Sequence, residues 1–305
     1  MDDAGIALSR QRVYAQEAAE VFAAAGGIEC ADGWPAVVEA GLLELAEEPA
    51  ETALTGAVLL AFGASGVPAP LAEALVAHHA LRAAGLPTPD AGTRLAAHLA
   101  SEPRVPYGSA AERVLVIGEE LRWADGGGES FAEPDPAVGA SPAPRGAGEL
   151  LSADPAVVAD ARARLLVYRS AVLAGVVDAM LELTIAWVSE RRQFGRPVGA
   201  FQAVAHGLVD VAARLEAGRG LVQAALETPD GIPLRGALAA ASTMSEAAVR
   251  AVDRCYHFHG TVAHTADYVF HRWARRALAL AWPSRQVGRL RAELGGLVVD
   301  SVANG

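Results

Sequence analysis

One stretch constrains this chain more than any other. From Asp154-Pro155 to Glu190 the sequence has no internal Pro and a single Gly, Gly175. Asp caps a helix N-terminus well and Pro is favoured at the first helical position, so the pair opens a helix cleanly. The uninterrupted run behind it predicts one helix of roughly 35 residues, about three times the ordinary globular length. Large apolar residues, among them Val157, Leu165, Val172, Val177, Met180, Leu183, Ile185 and Trp187, stand on both of its faces. A helix apolar nearly all round has to be buried nearly all round.

Further helices are expected from Val198 to about Glu227, where Thr228-Pro229-Asp230-Gly231 stops the run, from Leu234 to Cys255, and from Arg285 to Val298. Long helices with short connections pack best as an antiparallel four-helix bundle, here residues 151–305. Upstream, Gln11 to Leu99 is Ala/Leu-rich with helical spacing (Tyr14, Ala18, Val21 and Phe22; Leu71, Ala74 and Leu75), which predicts several short helices in an N-terminal helical domain, residues 1–102. Between them, residues 103–150 carry a β-branched run, Arg113 to Gly118, and a possible return strand at Leu121-Arg122-Trp123. Gly126 to Glu149, rich in Gly, Pro, Ala and acids, reads as a linker. The fold class is mainly α with one much shortened middle β element.

Composition removes several functions. All 25 basic residues are Arg, against 36 acidic ones, for a net charge of −11. Without Lys there is no Schiff-base amine, pyridoxal phosphate anchor or Walker-A loop, and the negative balance repels nucleic acid. Cys30 and Cys255 are distant, outside any CxxC pattern, and are expected to be buried thiols in a reducing compartment. The start, MDDAGIALSRQR, lacks the features of a secretory signal, and Leu54 to Leu86 is too interrupted by Pro68, Pro70, Glu73 and His78-His79 to cross a bilayer as one helix. These features predict a cytoplasmic protein with no membrane partner. His257, His259, His264 and His271 do not reproduce a metal-ligand spacing and are expected to be turn and core histidines.

The long helix ends in Glu190-Arg191-Arg192-Gln193-Phe194-Gly195-Arg196-Pro197. Cations near a helix C-terminus followed by a Gly stop are ordinary capping chemistry; an Arg and an amide at a turn also suit a diphosphate. The longer segment Trp187-Val-Ser-Glu-Arg-Arg-Gln-Phe-Gly-Arg-Pro-Val-Gly-Ala-Phe-Gln202 resembles the Y-x-x-x-R-x-Q-F-G-x-x-(I/L)-x-x-F-Q signature of the acyl-CoA dehydrogenases. Three other stretches fall in that family's order. Gly63-Ala-Ser-Gly-Val-Pro-Ala-Pro-Leu71 resembles a helix-to-loop passage of the N-terminal domain in the actinobacterial branch. Val105-Pro-Tyr-Gly-Ser-Ala-Ala-Glu-Arg-Val-Leu-Val-Ile117 resembles the start of the middle β-domain, and His259-Gly-Thr-Val-Ala-His-Thr265 stands in the place of H-G-G-x-G-x-T.

The resemblance implies FAD as cofactor, its adenosine diphosphate half held at a subunit interface by the R-x-Q-F-G turn of one subunit and the Q-x-x-G-G turn of another. Arg191, Gln193 and Phe194 fall on the first turn, with Gln202 a weaker candidate. On the second, His257 stands for Gln and Gly260 matches, while Thr261 and Ala263 replace glycines. In the family one Glu abstracts the α-proton of the acyl-CoA thioester and the β-hydride passes to flavin N5. The two positions that Glu takes in the family fall here on Trp282 and Leu165, neither of which accepts a proton. Asp267 is the nearest carboxylate, one methylene shorter than Glu; its bland reading is a solvated acid near Arg272, Arg275 and Arg276.

The resemblance therefore implies a short subunit of the kind found in heteromeric acyl-CoA dehydrogenases acting on steroid side-chain CoA thioesters, with no catalytic residue of its own. A full-length partner would supply the base and the flavin-ring contacts, in an obligate oligomer, a heterotetramer of two unlike chains being the preferred form. The competing reading is a flavin-free scaffold that uses the bundle only for oligomerisation.

Overall fold

The computed structural model describes residues 3–48, 51–131, 134–144, 146, 148–228 and 231–303. Four helices come first: α1 (Asp3–Ala24), α2 (Trp34–Glu39), α3 (Thr52–Ser65) and α4 (Leu71–Ala83). Their limits reflect local chemistry. The Asp32 carboxylate accepts the Trp34 N–H at 3.1 Å before α2, and Gly66, at φ 72°, ends α3. From Leu71 to Leu81 every residue of α4 is buried, Glu73, His78 and His79 included.

A four-stranded sheet comes next, in the order β1 (Leu95–Leu99), β3 (Arg113–Ile117), β4 (Leu121–Asp125), β6 (Glu149–Ser152). β1 runs parallel to β3 and the other pairs are antiparallel. A two-stranded ribbon joins β2 (Arg104–Val105) to β5 (Ser141–Pro142). The predicted β3–β4 return is present. The structure corrects two expectations. Residues 95–99, expected to be helical, form a strand in which all five are buried; so short an apolar run carries no period that separates strand from helix. The segment after Gly126 is not merely a linker: Phe131 bridges Ala140, and β5 and the start of β6 lie within it. Tertiary contacts order it, because Asp135 pairs with Arg276 in the core and the Pro134 carbonyl accepts from Arg275 at 2.6 Å.

The long helix is one element, α5 (Pro155–Glu190), 36 residues long, and the Asp154 carboxylate accepts the Ala156 N–H at 2.8 Å as expected of its cap. Then come α6 (Gln202–Leu226), α7 (Leu234–His259), α8 (Phe270–Leu280) and α9 (Ser284–Ala303). Helices α5, α6, α7 and α9 form the predicted antiparallel bundle; α8 is an extra helix packed on α5 and α7. Arg219 of α6 reaches Asp178 of α5 at 3.1 Å, and Arg162 of α5 grips Glu293 of α9 through two bonds of 2.7 and 2.6 Å.

Every residue of α5 from Ala163 to Val177 is buried. Among the described residues α5 is the one helix long and apolar enough to cross a membrane, and most of that stretch lies inside the protein. Its buried middle is covered by α3 and α4 from the N-terminal side and by α7 and α8 from the other, while Leu183 and Trp187 near its end are only half-buried. The α3 crossing is backbone to backbone: a Cβ on Gly63 would stand 2.0 Å from the Val172 carbonyl oxygen, and one on Gly175 2.1 Å from that of Leu60. Exposed apolar side chains remain at Ile185 on the last turns of α5, at Phe194 and Val209, and along the end of α9 at Val299 and Val302. Both cysteines are free. Cys255 is buried, its thiol pushed up to about 11 by burial, but Cys30 is only half-buried, contrary to expectation.

Candidate functional site

The α5 helix stops at Arg191 and turns into a miniature hairpin, β7 (Arg192–Gln193) against β8 (Arg196–Pro197). A two-residue hairpin loop of this kind needs positive φ at both central positions. Gly195 supplies one at 82° without strain; Phe194 supplies the other at 50°, which is unfavourable for a bulky side chain. Yet Phe194 is 92% exposed. It touches Phe201 edge-on at 6.2 Å, and the Arg196 guanidinium lies 4.1 Å from the same ring. Arg192 donates to the Gly195 carbonyl at 3.0 Å. Arg191, Gln193 and Gln202, the first residue of α6, are exposed. Strain in a solvent-facing turn persists only where the surroundings hold it and points to a role outside the chain's own packing.

The second turn closes α7. Gly260 sits at φ 69° and ψ −148°, leads a 3-10 turn (Gly260–His264), and has open space where a Cβ would be. His257 is exposed; Ala263 is fully buried, so the methyl that replaces a glycine points into the protein and obstructs nothing outside. His259 is buried, its Nε2 3.1 Å from the Thr184 hydroxyl and its Nδ1 without a partner. Burial lowers its pKa to about 4.

Trp187, on the last turns of α5, joins the two turns. Its indole stacks on His259 at 5.5 Å and 24°, touches Tyr268 at 5.4 Å, and carries the Arg191 guanidinium at 5.5 Å. A single chain thus presents both turns at one end of the bundle. Each turn offers groups that suit a dinucleotide's diphosphate: exposed guanidinium and amide groups on the first, and a glycine turn open to close approach on the second.

The two positions on which the resemblance places the family's base are filled by apolar side chains. Leu165 is buried in mid-α5 and Trp282, in the α8–α9 connection, is buried with its backbone N–H donated to the Ser245 hydroxyl at 3.1 Å. Against the Trp282 ring, at 4.4 Å, lies Arg169 of α5. Arg169 donates to Glu73 of α4 at 3.1 Å, to Glu102 at 3.2 Å and to the Ala97 carbonyl of β1 at 3.1 Å. Burial raises the pKa of both glutamates against the pull of Arg169. Beside this cluster is a cavity of about 350 Å³, walled by Pro103, Pro106, Asp135, Arg169, Ala281 and Pro283. Asp267 is exposed and makes no ion pair among the described residues; Arg275 and Arg276, its expected neighbours in charge, are engaged by Pro134 and Asp135.

Sequence reading missed the cluster. Its signal was a charge inside an apolar helix, Glu73 in α4 and Arg169 in α5, which implies burial with a partner.

Comparison with known proteins agrees with this geometry. The family profile described as "Acyl-CoA dehydrogenase, C-terminal domain" matches residues 160–284. The chain is 31% identical over 264 residues to the acyl-CoA dehydrogenase IpdE2 of Mycobacterium tuberculosis, covering 82% of this chain and 80% of that protein. Its fold is similar to a chain of the Tcur3481–Tcur3483 steroid acyl-CoA dehydrogenase G363A variant, with TM-score 0.77, 22% identity, and 97% and 99% of the two chains covered. A chain of the ChsE4–ChsE5 complex from Mycobacterium tuberculosis superposes with TM-score 0.71 at 19% identity over 96% and 97% of the chains. At 31% identity to IpdE2 over about four-fifths of both chains, and with the profile matching the bundle, the chain belongs to the acyl-CoA dehydrogenase family.

Proposed function

We propose that this chain is one subunit of an FAD-dependent acyl-CoA dehydrogenase whose catalytic Glu comes from a full-length partner chain. The observation that carries the reading is a division within one molecule. The turn that resembles the cofactor-binding signature is built and exposed, whereas both positions of the base are buried apolar side chains. Similarity to chains of a steroid acyl-CoA dehydrogenase and of a two-protein complex supports a heteromeric assembly and a bulky steroid side-chain CoA thioester as substrate.

In this reading Arg191 and Gln193 hold the diphosphate by charge-assisted and neutral hydrogen bonds, and Phe194 offers its exposed ring to the adenine. Gln202, His257 and Gly260 border the same end. FAD, when bound, accepts the β-hydride of the acyl chain; the α-proton leaves to the partner's carboxylate. In this chain Trp282 and Leu165, both buried, take the two positions that the resemblance assigns to the base, and Asp267 faces solvent.

The test is co-expression and co-purification with a full-length acyl-CoA dehydrogenase chain from the same organism, then an absorbance scan and a turnover assay. The complex is expected to be yellow and active, and the isolated chain inactive. Arg191→Ala is expected to weaken flavin binding by about one to two decades, the worth of one hydrogen bond to a charged group. Turnover by the chain alone would overturn the division of labour. Colourless preparations, alone and with the partner, would favour the flavin-free scaffold, the reading that the filled base positions also allow.

A further inference from the structure

The two cofactor-binding turns are far apart in the chain, yet one side chain touches both. Trp187 lies one helical turn before Arg191, so its indole sits beneath the guanidinium at 5.5 Å. The same ring stacks nearly parallel on His259, which precedes Gly260, the opening residue of the second turn. His259 is fixed in its own right: Thr184 holds its Nε2 at 3.1 Å, Phe270 packs on it at 4.2 Å and Tyr268 at 5.3 Å. Tyr268 also meets Trp187 at 5.4 Å. The indole is therefore held by groups from α5, α7 and the loop before α8.

Arg191 has no such framework. Its side chain is exposed, it makes no ion pair among the described residues, and its guanidinium rests on the indole face. An exposed Arg loses rotamer freedom when it binds a phosphate. A ring that already restrains the guanidinium reduces that loss, and the same ring fixes the angle between Arg191 and the His259–Gly260 turn.

From this geometry we infer that Trp187 is the positioning residue of the cofactor site: it pre-orders Arg191 and locks the two binding turns of this chain into one register. The inference rests on the proposed flavin-binding role and names the side chain on which that role depends. Trp187 itself touches no cofactor in this assignment and acts through Arg191.

The test uses the purified complex, stripped of flavin and titrated with FAD, reading the dissociation constant from flavin fluorescence. Trp187→Leu keeps an apolar filler but removes the π face, and is expected to weaken FAD binding about two- to fivefold, the factor an exposed cation–π contact supplies. Trp187→Phe restores a face and is expected to bind within about twofold of the parent. The effects of Trp187→Leu and Arg191→Ala are expected to be strongly non-additive, since both remove one device; a side chain that only stabilises the helix end would give additive losses. If the Leu variant yields no folded complex, Trp187→Met carries the same expectation. Arg191→Ala weakening FAD while Trp187→Leu leaves it unchanged would overturn this inference and leave the proposed function standing, as would full additivity. Unchanged binding in both variants would instead overturn the flavin-binding role of the hairpin.

Discussion

Arg169 is the side chain whose removal should cost this fold most. Its guanidinium is 3% exposed and serves Glu73, 3% exposed, and Glu102, 6% exposed, at 3.1 and 3.2 Å. Arg169→Met keeps an unbranched stem but leaves two buried carboxylates with no cation between them. Breaking a buried pair from one side costs about 3–5 kcal/mol, a large part of the roughly 5–15 kcal/mol that holds a typical domain together. The pH dependence has a definite sign. Burial already raises both glutamate pKa values above the unfolded value, and Arg169 is the main influence opposing it. A carboxyl with a raised folded pKa keeps its proton longer in the native state, so its contribution to stability declines as pH rises through that pKa. Without Arg169 the rise is greater, so the variant should be nearer to the parent at pH 5 than at pH 8. Urea unfolding at both pH values measures this. The triple variant Arg169→Met, Glu73→Gln, Glu102→Gln should recover most of the loss, because no charge is left to strand. A single-variant loss under about 1 kcal/mol at both pH values, or a triple variant as unstable as the single, would refute the reasoning.

Three further outcomes are expected. Gly63→Ala should lower stability by about 1–3 kcal/mol because its methyl meets the Val172 backbone, whereas Gly288→Ala, in open space on α9, should raise it by about 0.5–1 kcal/mol; paired denaturant midpoints decide. Burial lowers the pKa of His79 to about 3 and of His98 to about 4, so between pH 6.5 and 4 the unfolded chain takes up protons that the native chain refuses. Their share of stability is present above that window and is lost as pH falls, and His79→Phe or His98→Leu should flatten the decline in melting temperature there. Trp282→Glu, which restores the family's base by position, should give the isolated chain no turnover and lower its stability by at least about 3 kcal/mol, read by an acyl-CoA assay and a thermal melt.

Much of the fold was legible in the sequence where the signal is local. Asp154-Pro155 and the unbroken run behind it marked α5 within a residue, and Gly195 marked a turn at its end though not the hairpin, since a cap and a glycine stop are written in adjacent residues. The strand β1 was not legible, because Leu95 to Leu99 is buried throughout and an all-apolar five-residue run fits either period. The order of the loop around Asp135 was not legible either. It depends on Arg276, 141 residues away, whose guanidinium also donates to the Gly66 carbonyl at 2.7 Å. The close crossing of α3 on α5 was not legible for a related reason: Gly63 and Gly175 look like helix weakeners in the sequence, and only their meeting shows that they let two backbones touch. The Trp187 contacts lie between these cases. The aromatic residue was visible in the motif, but its partner His259 is brought to it by the return of α7.

The closed base position and the buried charges belong to one arrangement. Around the junction of sheet, bundle and α8 the core holds three acids, Glu73, Glu102 and Asp135, and two arginines, Arg169 and Arg276. All three acids already lean on those two cations, so the junction carries one negative charge in excess unless a glutamate keeps its proton, and burial favours that proton. A catalytic carboxylate at position 282 would be a fourth acid on the same two arginines, in a place where an unpaired charge costs several kcal/mol. Trp282 avoids that cost and gives Arg169 an aromatic face in return. The proposed reading, in which the base comes from a partner, is thus consistent with the cluster in physical terms: a junction that fastens three structural layers through shared carboxylates has no room for a further carboxylate free to take a proton from a substrate.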